Sequence, residues 1–386
     1  GPGVSTLRSR DQRIEVIDRG GEVRFTTEPA FAVDARGERR SLGLSLQVSG
    51  QSATLDVTLD AKGLTYPVAV DPTFVALPNP VSPHYLGGGA LHAGKALFFG
   101  GQDAVGPHGK TESYDPVGDK WTALAPMGSV RKQFAYGQLP SGELLVAGGA
   151  DAAGALSTAE KYNPATNTWT AIASMTSTRV DARGVVLADG RFLVAGGYVP
   201  CLFCPYWATA EIYDSATNKW VAAGSMAIAR TGFRLLALPS GKALALCDND
   251  QRTQVDLFDP TALTWSAAAP LPVGRRQCPA IVLPSGKAAV LTGEFAGVRS
   301  DVYDEAANTW TRVADALQSP SRGTVNLLGD GRVLVAETDF GQAQLYNPSA
   351  DTWANAGVPY GNFEGVPSVT LPANKVVWAG RAGTVV

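Results

Sequence analysis

A single short pattern recurs six times along the chain, and it limits the possible folds more than any other feature. It reads "YDPVGDKWTALAPM" at 114–127, "YNPATNTWTAIASM" at 162–175, "YDSATNKWVAAGSM" at 213–226 and "FDPTALTWSAAAPL" at 258–271. "YDEAANTWTRVADAL" at 303–317 and "YNPSADTWANAG" at 346–357 complete the series. The tryptophans Trp121, Trp169, Trp220, Trp265, Trp310 and Trp353 are spaced by 48, 51, 45, 45 and 43 residues. Self-similarity at such a period is the signature of a repeat architecture, in which each unit covers its neighbour's apolar face.

Within each repeat the order of segments is constant. A short apolar strand follows a basic residue, as in "RKQFAYGQL", and a "PSG" or "ADG" turn ends it. A second apolar strand closes on small residues, "LFFGG", "LLVAGG" or "FLVAGG". After a variable loop, a third strand runs into Tyr/Phe-Asp/Asn-Pro, and the fourth opens at the tryptophan. Four short strands separated by turn signals make an antiparallel sheet. The two inner strands are apolar on both faces, so each sheet needs cover on both sides. Sheets stacked around an axis supply it, which predicts an all-β propeller of four-stranded blades. The tryptophans then pack between blades, and the Asp/Asn-Pro pairs make the turns into strand four.

The spaced glycines, tyrosine, tryptophan and closing Met resemble the Kelch repeat over roughly residues 66–386. The pattern departs from it at Cys247-Asp248, Thr292-Gly293 and Glu337-Thr338, which stand where the diglycine is expected. "VPSVTLPANKVVWAG" at 366–380 reads as the first two strands of another blade. "YPVAVDPTFVALP" at 66–78 reads as its missing half, with Phe74 in register 47 residues before Trp121. The expectation is therefore a seven-bladed Kelch-type propeller over 64–386, closed by the segment 66–78. Both "TVV" (384–386) and "YPVAV" (66–70) compete for strand three of that last blade. Residues 1–63 lie outside the register: "GPG" resembles a tag scar, and the alternating segments after it predict a small N-terminal β unit.

Composition narrows the function classes. The net charge of −3 gives no basic footprint for nucleic acid, and no apolar run approaches the roughly 20 residues of a membrane span. Charged residues make up only 17%, while 43 Gly and 25 Pro fit a turn-rich fold. Low Lys, higher Arg and recurrent Thr, Ala and Gly fit a secreted bacterial protein, placed in the periplasm, outside the cell or at its surface, and acting as a monomer.

A site is expected where the loops entering strand one and leaving strand two meet, the face that usually carries function in Kelch propellers. Arg131, Arg179, Arg230, Arg275 and Arg322 fall just before strand one of five successive repeats. Equivalent positions on a ring converge, which predicts a circle of guanidinium groups suited to a carboxylate or phosphate. Kelch domains that bind acidic peptides use arginines at this kind of position. The alternative is that each arginine is satisfied internally, by Asp103, Asp151, Asp250, Glu294 or Asp339, which follow strand two on the same face. Asp103, Asp151 and Tyr198 join the arginines as candidate ligand contacts, and the partner is a protein or a small anion.

The second reading is a metal- or redox-dependent enzyme. Cys201 and Cys204 form "CLFCPYW" in the longest loop between strands two and three, and read as a small loop disulfide, free thiols or part of a zinc site. Cys247 and Cys278 read as buried small apolar residues. His84 and His108 enter the first repeat near Asp103, either as solvated loop residues or as metal ligands. The copper-radical oxidases resemble this architecture, but their paired Tyr-Cys, second tyrosine and two histidines do not align here. The iron motif of Kelch nitrile-specifier proteins and the six-blade count of sialate mutarotases also fail to match. No cofactor and no catalytic constellation are legible in the sequence.

Overall fold

In the computed structural model, side chains are described for residues 80, 82–200, 206–319, 323–336, 343–357 and 365–380, with backbone strands alone in parts of the rest. The chain divides into two compact units, Gly1–Thr73 and Phe74–Val386. The first holds three small sheets. Val4–Arg10, Arg13–Asp18 and Val23–Thr26 form one, and Gly43–Ser49 pairs with Ser52–Thr58 in another. In the third, Phe31–Val33 lies between Arg39–Ser41 and Ala69–Val70.

The second unit is a β-propeller with six complete blades, at 88–124, 135–172, 183–225, 234–268, 280–313 and 323–355. Each has four antiparallel strands in sequence order. The expected seventh blade is only partial: Ser368–Leu371 pairs with Lys375–Trp378, and Thr384–Val385 pairs with Ala76–Leu77, as two separate sheets. The sequence there holds two strong apolar strands but no tyrosine-turn-tryptophan half to extend them. Ser368–Leu371 still packs beside Gly323–Leu327 on one side and Gly88–His92 on the other, so the inner strands close a circle. Phe74 lies outside the described residues.

The recurrent pattern folds as a latch between blades. In blade two the Tyr162 hydroxyl donates to Asn167 Oδ1 at 2.9 Å, and the same oxygen accepts the Ala125 amide of blade one at 2.9 Å. Asn167 has a left-handed backbone (φ 52°), which asparagine tolerates well. The Trp169 ring lies 5.0 Å from Tyr162 and its Nε1 donates to Thr111 of blade one at 3.1 Å. Trp220, Trp265, Trp310 and Trp353 donate likewise to the carbonyls of Ala173, Ala223, Ala269 and Ala314. In the fourth repeat Phe258 and Leu263 replace the tyrosine and its acceptor together. Apolar clusters fill the seams, as where Leu97, Phe99 and Met127 of blade one meet Phe134, Leu144 and Val146 of blade two.

The diglycines end strand two in blades one to three, where other atoms approach their backbones closely. A side chain at Gly149 (φ 89°) would place its Cβ 2.5 Å from the Lys132 carbonyl. Where Cys247 and Thr292 replace the first glycine, they keep its left-handed backbone at φ 55° and 72°.

Candidate functional site

The arginines before strand one turn into their own blades. Arg131, Arg179, Arg230 and Arg275 are all at most 1% exposed. Each guanidinium donates to the carbonyl that ends strand two: Gly148 (2.8 Å), Gly196 (3.0 Å), Cys247 (3.2 Å) and Thr292 (3.1 Å). Each also pairs with an acid on strand three. Arg131 meets Glu160 at 2.8 Å, Arg179 meets Glu211 at 3.3 Å, Arg230 meets Asp256 at 2.7 Å, and Arg275 meets Asp301. Burial lowers the pKa of Arg131 and Arg179, and brings that of Arg275 down to about 10 against the pull of Asp301. None of the four lines the central cavity. Internal pairing was the expected alternative, but the partners differ from those named above. Arg322 and Asp339 lie outside the described residues.

Three of these carboxylates also hold the chain entering their blade, Asp256 by accepting the Ala227 amide at 3.0 Å. Glu160 accepts the amides of Gly128 (2.6 Å) and Ser129 (3.0 Å), and Glu211 accepts that of Thr176 (2.7 Å). In blade one His84 takes the arginine's place. Its Nδ1 lies 2.8 Å from the Gly100 carbonyl, which requires the proton there, and its Nε2 lies 3.9 Å from Glu112.

The remaining candidates separate. Asp103 and Asp151 cap their own loops, accepting the amides of Val105 and Gly106, and of Ala153 and Gly154. Asp250 pairs with Arg252 and Glu294 with Arg276. His108 is buried, with Nε2 at 2.9 Å from the Pro83 carbonyl and its ring 5.3 Å from that of His84. Among the described residues no three His, Cys, Asp or Glu side chains are grouped to hold a metal ion. Cys201 and Cys204 lie outside the described residues. Cys247 and Cys278, expected to be separate apolar fillers, are buried but joined in a disulfide. One ends strand two of blade four and the other enters strand one of blade five, and these points meet at the blade seam.

Tyr198 does line the cavity, beside Tyr206 at 6.3 Å between ring centroids. The cavity sits at the propeller hub and measures approximately 960 Å³. Most of its wall comes from the start of strand one in each blade and the residues just before it, and the loops that follow strand two add Tyr198, Val199, Pro200 and Tyr206 in blade three and Asn249 in blade four. Among the described residues three charged side chains line it: Asp181, Arg183 and Arg234. Arg183 donates to the Phe233 carbonyl at 2.9 Å and pairs with Asp181 at 3.1 Å. Asp181 also accepts the Thr231 hydroxyl (2.7 Å) and the Gly232 amide (2.8 Å). Arg234 donates its Nε to the Cys278 carbonyl at 2.9 Å, and no carboxylate lies within 4.0 Å of it among the described residues. Burial first, and the charge of Arg183 second, lower its pKa to about 10. Tyr136, also in the wall, has its hydroxyl pKa raised by burial. Among the described residues the wall therefore holds two guanidinium groups and one carboxylate, and that carboxylate pairs with Arg183 and not with Arg234, leaving one positive charge in excess.

Both arginines have a signal in the sequence. "TRVDAR" and "ARTGFR" each place a second arginine four residues after the first. In the structure the first is turned into the blade and the second stands on strand one, the strand that faces the hub.

The Kelch motif family model matches residues 141–176, which span most of blade two. The chain is a Kelch-repeat β-propeller. No curated protein matches the sequence significantly. Among solved structures, this Kelch propeller is similar to a fungal alcohol oxidase of the AA5 family in complex with copper, at 13% identity and a TM-score of 0.61. The match covers 79% of this chain and 71% of the oxidase. It is also similar to YjhT, at 17% identity and a TM-score of 0.54, over 73% of this chain and 99% of that one. At these identities the likeness is one of fold. The copper of the oxidase has no counterpart donor set here: His84 and His108 each engage a backbone carbonyl, and no third ligand joins them among the described residues.

Proposed function

We propose that this Kelch propeller is a binding module, secreted or displayed at the cell surface, that holds a small anion in its hub cavity. The observation that carries the reading is the pair Arg183 and Arg234 in one wall, where the carboxylate of Asp181 pairs with Arg183 and leaves Arg234 without an acid among the described residues. Charge-assisted hydrogen bonds to guanidinium are the strong ones, and a planar carboxylate matches the fork of each arginine. The excess is one charge, so a monocarboxylate neutralises the wall, whereas a dianion would overshoot it. The cavity is roomy enough for a body beyond the carboxylate, and Tyr198 and Tyr206 offer that body aromatic surface. The Cys247–Cys278 disulfide supports an oxidising compartment. No helix among the described residues is long and apolar enough to cross a membrane.

Calorimetric titration tests the reading with acetate, benzoate and gluconate beside glutarate, inorganic phosphate and an acidic peptide. A monocarboxylate is expected to bind best, and Arg234→Ala or Arg183→Ala to weaken it at least tenfold, since each bond to a charged group contributes roughly 1.5–3 kcal/mol. Unchanged binding in both variants would place the site elsewhere. Preference for the peptide would make the cavity a protein-docking site.

A further inference from the structure

The hub rim is held by backbone bonds that pass from blade to blade. The Gln133 amide donates to the Leu86 carbonyl at 2.9 Å, and the Asp181 amide to the Gln133 carbonyl at 2.8 Å. These residues occupy one repeat position, two after the inward-turned arginine or His84. At the next seam the Asp181 side chain takes over, accepting the Gly232 amide. At the fourth-to-fifth seam the series breaks: the Gln277 amide reaches instead to the Asp248 carbonyl, at 3.4 Å. The Cys247–Cys278 disulfide bridges that seam.

Both half-cystines hold arginines of blade four through their backbone carbonyls. Cys247 accepts from Arg230 at 3.2 Å and Cys278 accepts from Arg234 at 2.9 Å. Cys247 and Gln277 keep the left-handed backbones of their repeat positions, at φ 55° and 44°, as Gly148 and Gln133 do in blade two. Asn249 and Gln277, bonded across the seam at 3.2 Å, are themselves part of the cavity wall.

We propose that the Cys247–Cys278 disulfide is the positioning element for Arg234, so that the cavity reaches full affinity for a carboxylate only in the oxidised protein. The inference rests on the carboxylate reading above. Forming the bond takes two electrons and two protons from the two thiols and passes them, by thiol–disulfide exchange, to a small-molecule disulfide such as oxidised glutathione. Without the bond, the segment that carries the Cys278 carbonyl keeps only the long hydrogen bonds of Gln277 to Asp248 and Asn249 across the seam, and the acceptor that aims the Arg234 fork is held less firmly.

The test compares oxidised wild-type protein with Cys247→Ala/Cys278→Ala, Cys247→Ser/Cys278→Ser and protein prepared with both thiols free. Each is titrated with the monocarboxylate that binds wild type best, and its fold is checked by circular dichroism. Three routes to the open form ensure that a folding defect in one leaves the others to decide. Opening the bond is expected to weaken binding about tenfold, equivalent to roughly 1.4 kcal/mol. The loss should vanish in an Arg234→Ala background and persist in Arg183→Ala. Equal affinity with and without the bond overturns the proposal, as does an undiminished loss in the Arg234→Ala background, which would reveal a general loosening. Failure of oxidised wild type to bind any monocarboxylate would instead refute the proposed function itself.

Discussion

Replacing Glu160 probes the ion pair that recurs from blade to blade. Its carboxylate accepts the Arg131 guanidinium and two backbone amides, while both side chains are at most 5% exposed. Removing one partner of such a pair strands a buried charge and costs about 3–5 kcal/mol, a large share of a typical total stability of about 5–15 kcal/mol. Glu160→Ala should therefore lower the urea midpoint of the propeller transition by an amount in that range. Glu160→Gln should cost less, because blade six already carries an amide there: Gln344 Oε1 accepts the Leu317 amide at 2.8 Å and the Gln318 amide at 3.2 Å. Arg131→Met/Glu160→Gln removes both charges and keeps the amide acceptor, so it should recover about 2 kcal/mol relative to Glu160→Ala. Urea titration followed by tryptophan fluorescence reads all of these. A Glu160→Ala cost below about 1 kcal/mol, or a double variant whose loss equals the sum of its single changes, would refute the view that the arginine exists to be paired inside the blade.

Three further outcomes follow from the same geometry. Burial, aided by the charges of His84 and Lys110, lowers the His108 pKa below the ordinary 6.5, so the unfolded chain takes up a proton before the folded one. Stability should decline as pH falls from 6.5 toward the folded value, and His108→Gln should flatten that decline in thermal melts. Tyr162→Phe should cost about 0.5–1.5 kcal/mol, the worth of one hydrogen bond, with the Asn167 turn kept by its bond to Ala125; a larger loss in urea titration would mean the hydroxyl sets the turn itself. Gly149→Ala brings a Cβ to 2.5 Å from a carbonyl on a left-handed backbone, and should destabilise by more than about 1 kcal/mol by the same assay.

The repeat was readable because each of its letters answers a local need. Tyr162, Asn167 and Trp169 sit within eight residues and bond to one turn and one neighbouring blade, so their spacing exposes the blade architecture directly. The partners of the arginines were harder to read, yet a signal exists. Glu112, Glu160, Glu211, Asp256, Asp301 and Gln344 each lie two residues before the Tyr or Phe, on one face of strand three. The acids named instead, such as Asp103 and Asp151, are consumed by their own loop turns. The Cys247–Cys278 bond spans 31 residues and two blades, and pairing among four cysteines does not follow from sequence. The seventh blade stays partial because the two good strands at 368–378 imply a sheet without supplying its outer half.

A feature written into every repeat serves the ring, because a ring needs the same contact at every seam; a binding site needs a place that differs from its neighbours. The arginine–carboxylate pairs satisfy the first condition and are sealed in blades two to five. The second condition is met where the pattern is broken. Only blades three and four carry a second arginine on strand one, at Arg183 and Arg234, while the corresponding residues of blades two and five are Ala135 and Pro279. The disulfide lies on the blade-five side of that pair, at the seam where the rim's backbone bonds stop. The Asp181 side chain, which replaces the preceding rim bond, lies between the two arginines' blades. Three departures from the repeat thus fall on adjacent seams and surround one wall of the cavity. Packing alone gives no reason for that coincidence, since blades two and three close their shared seam without any of them.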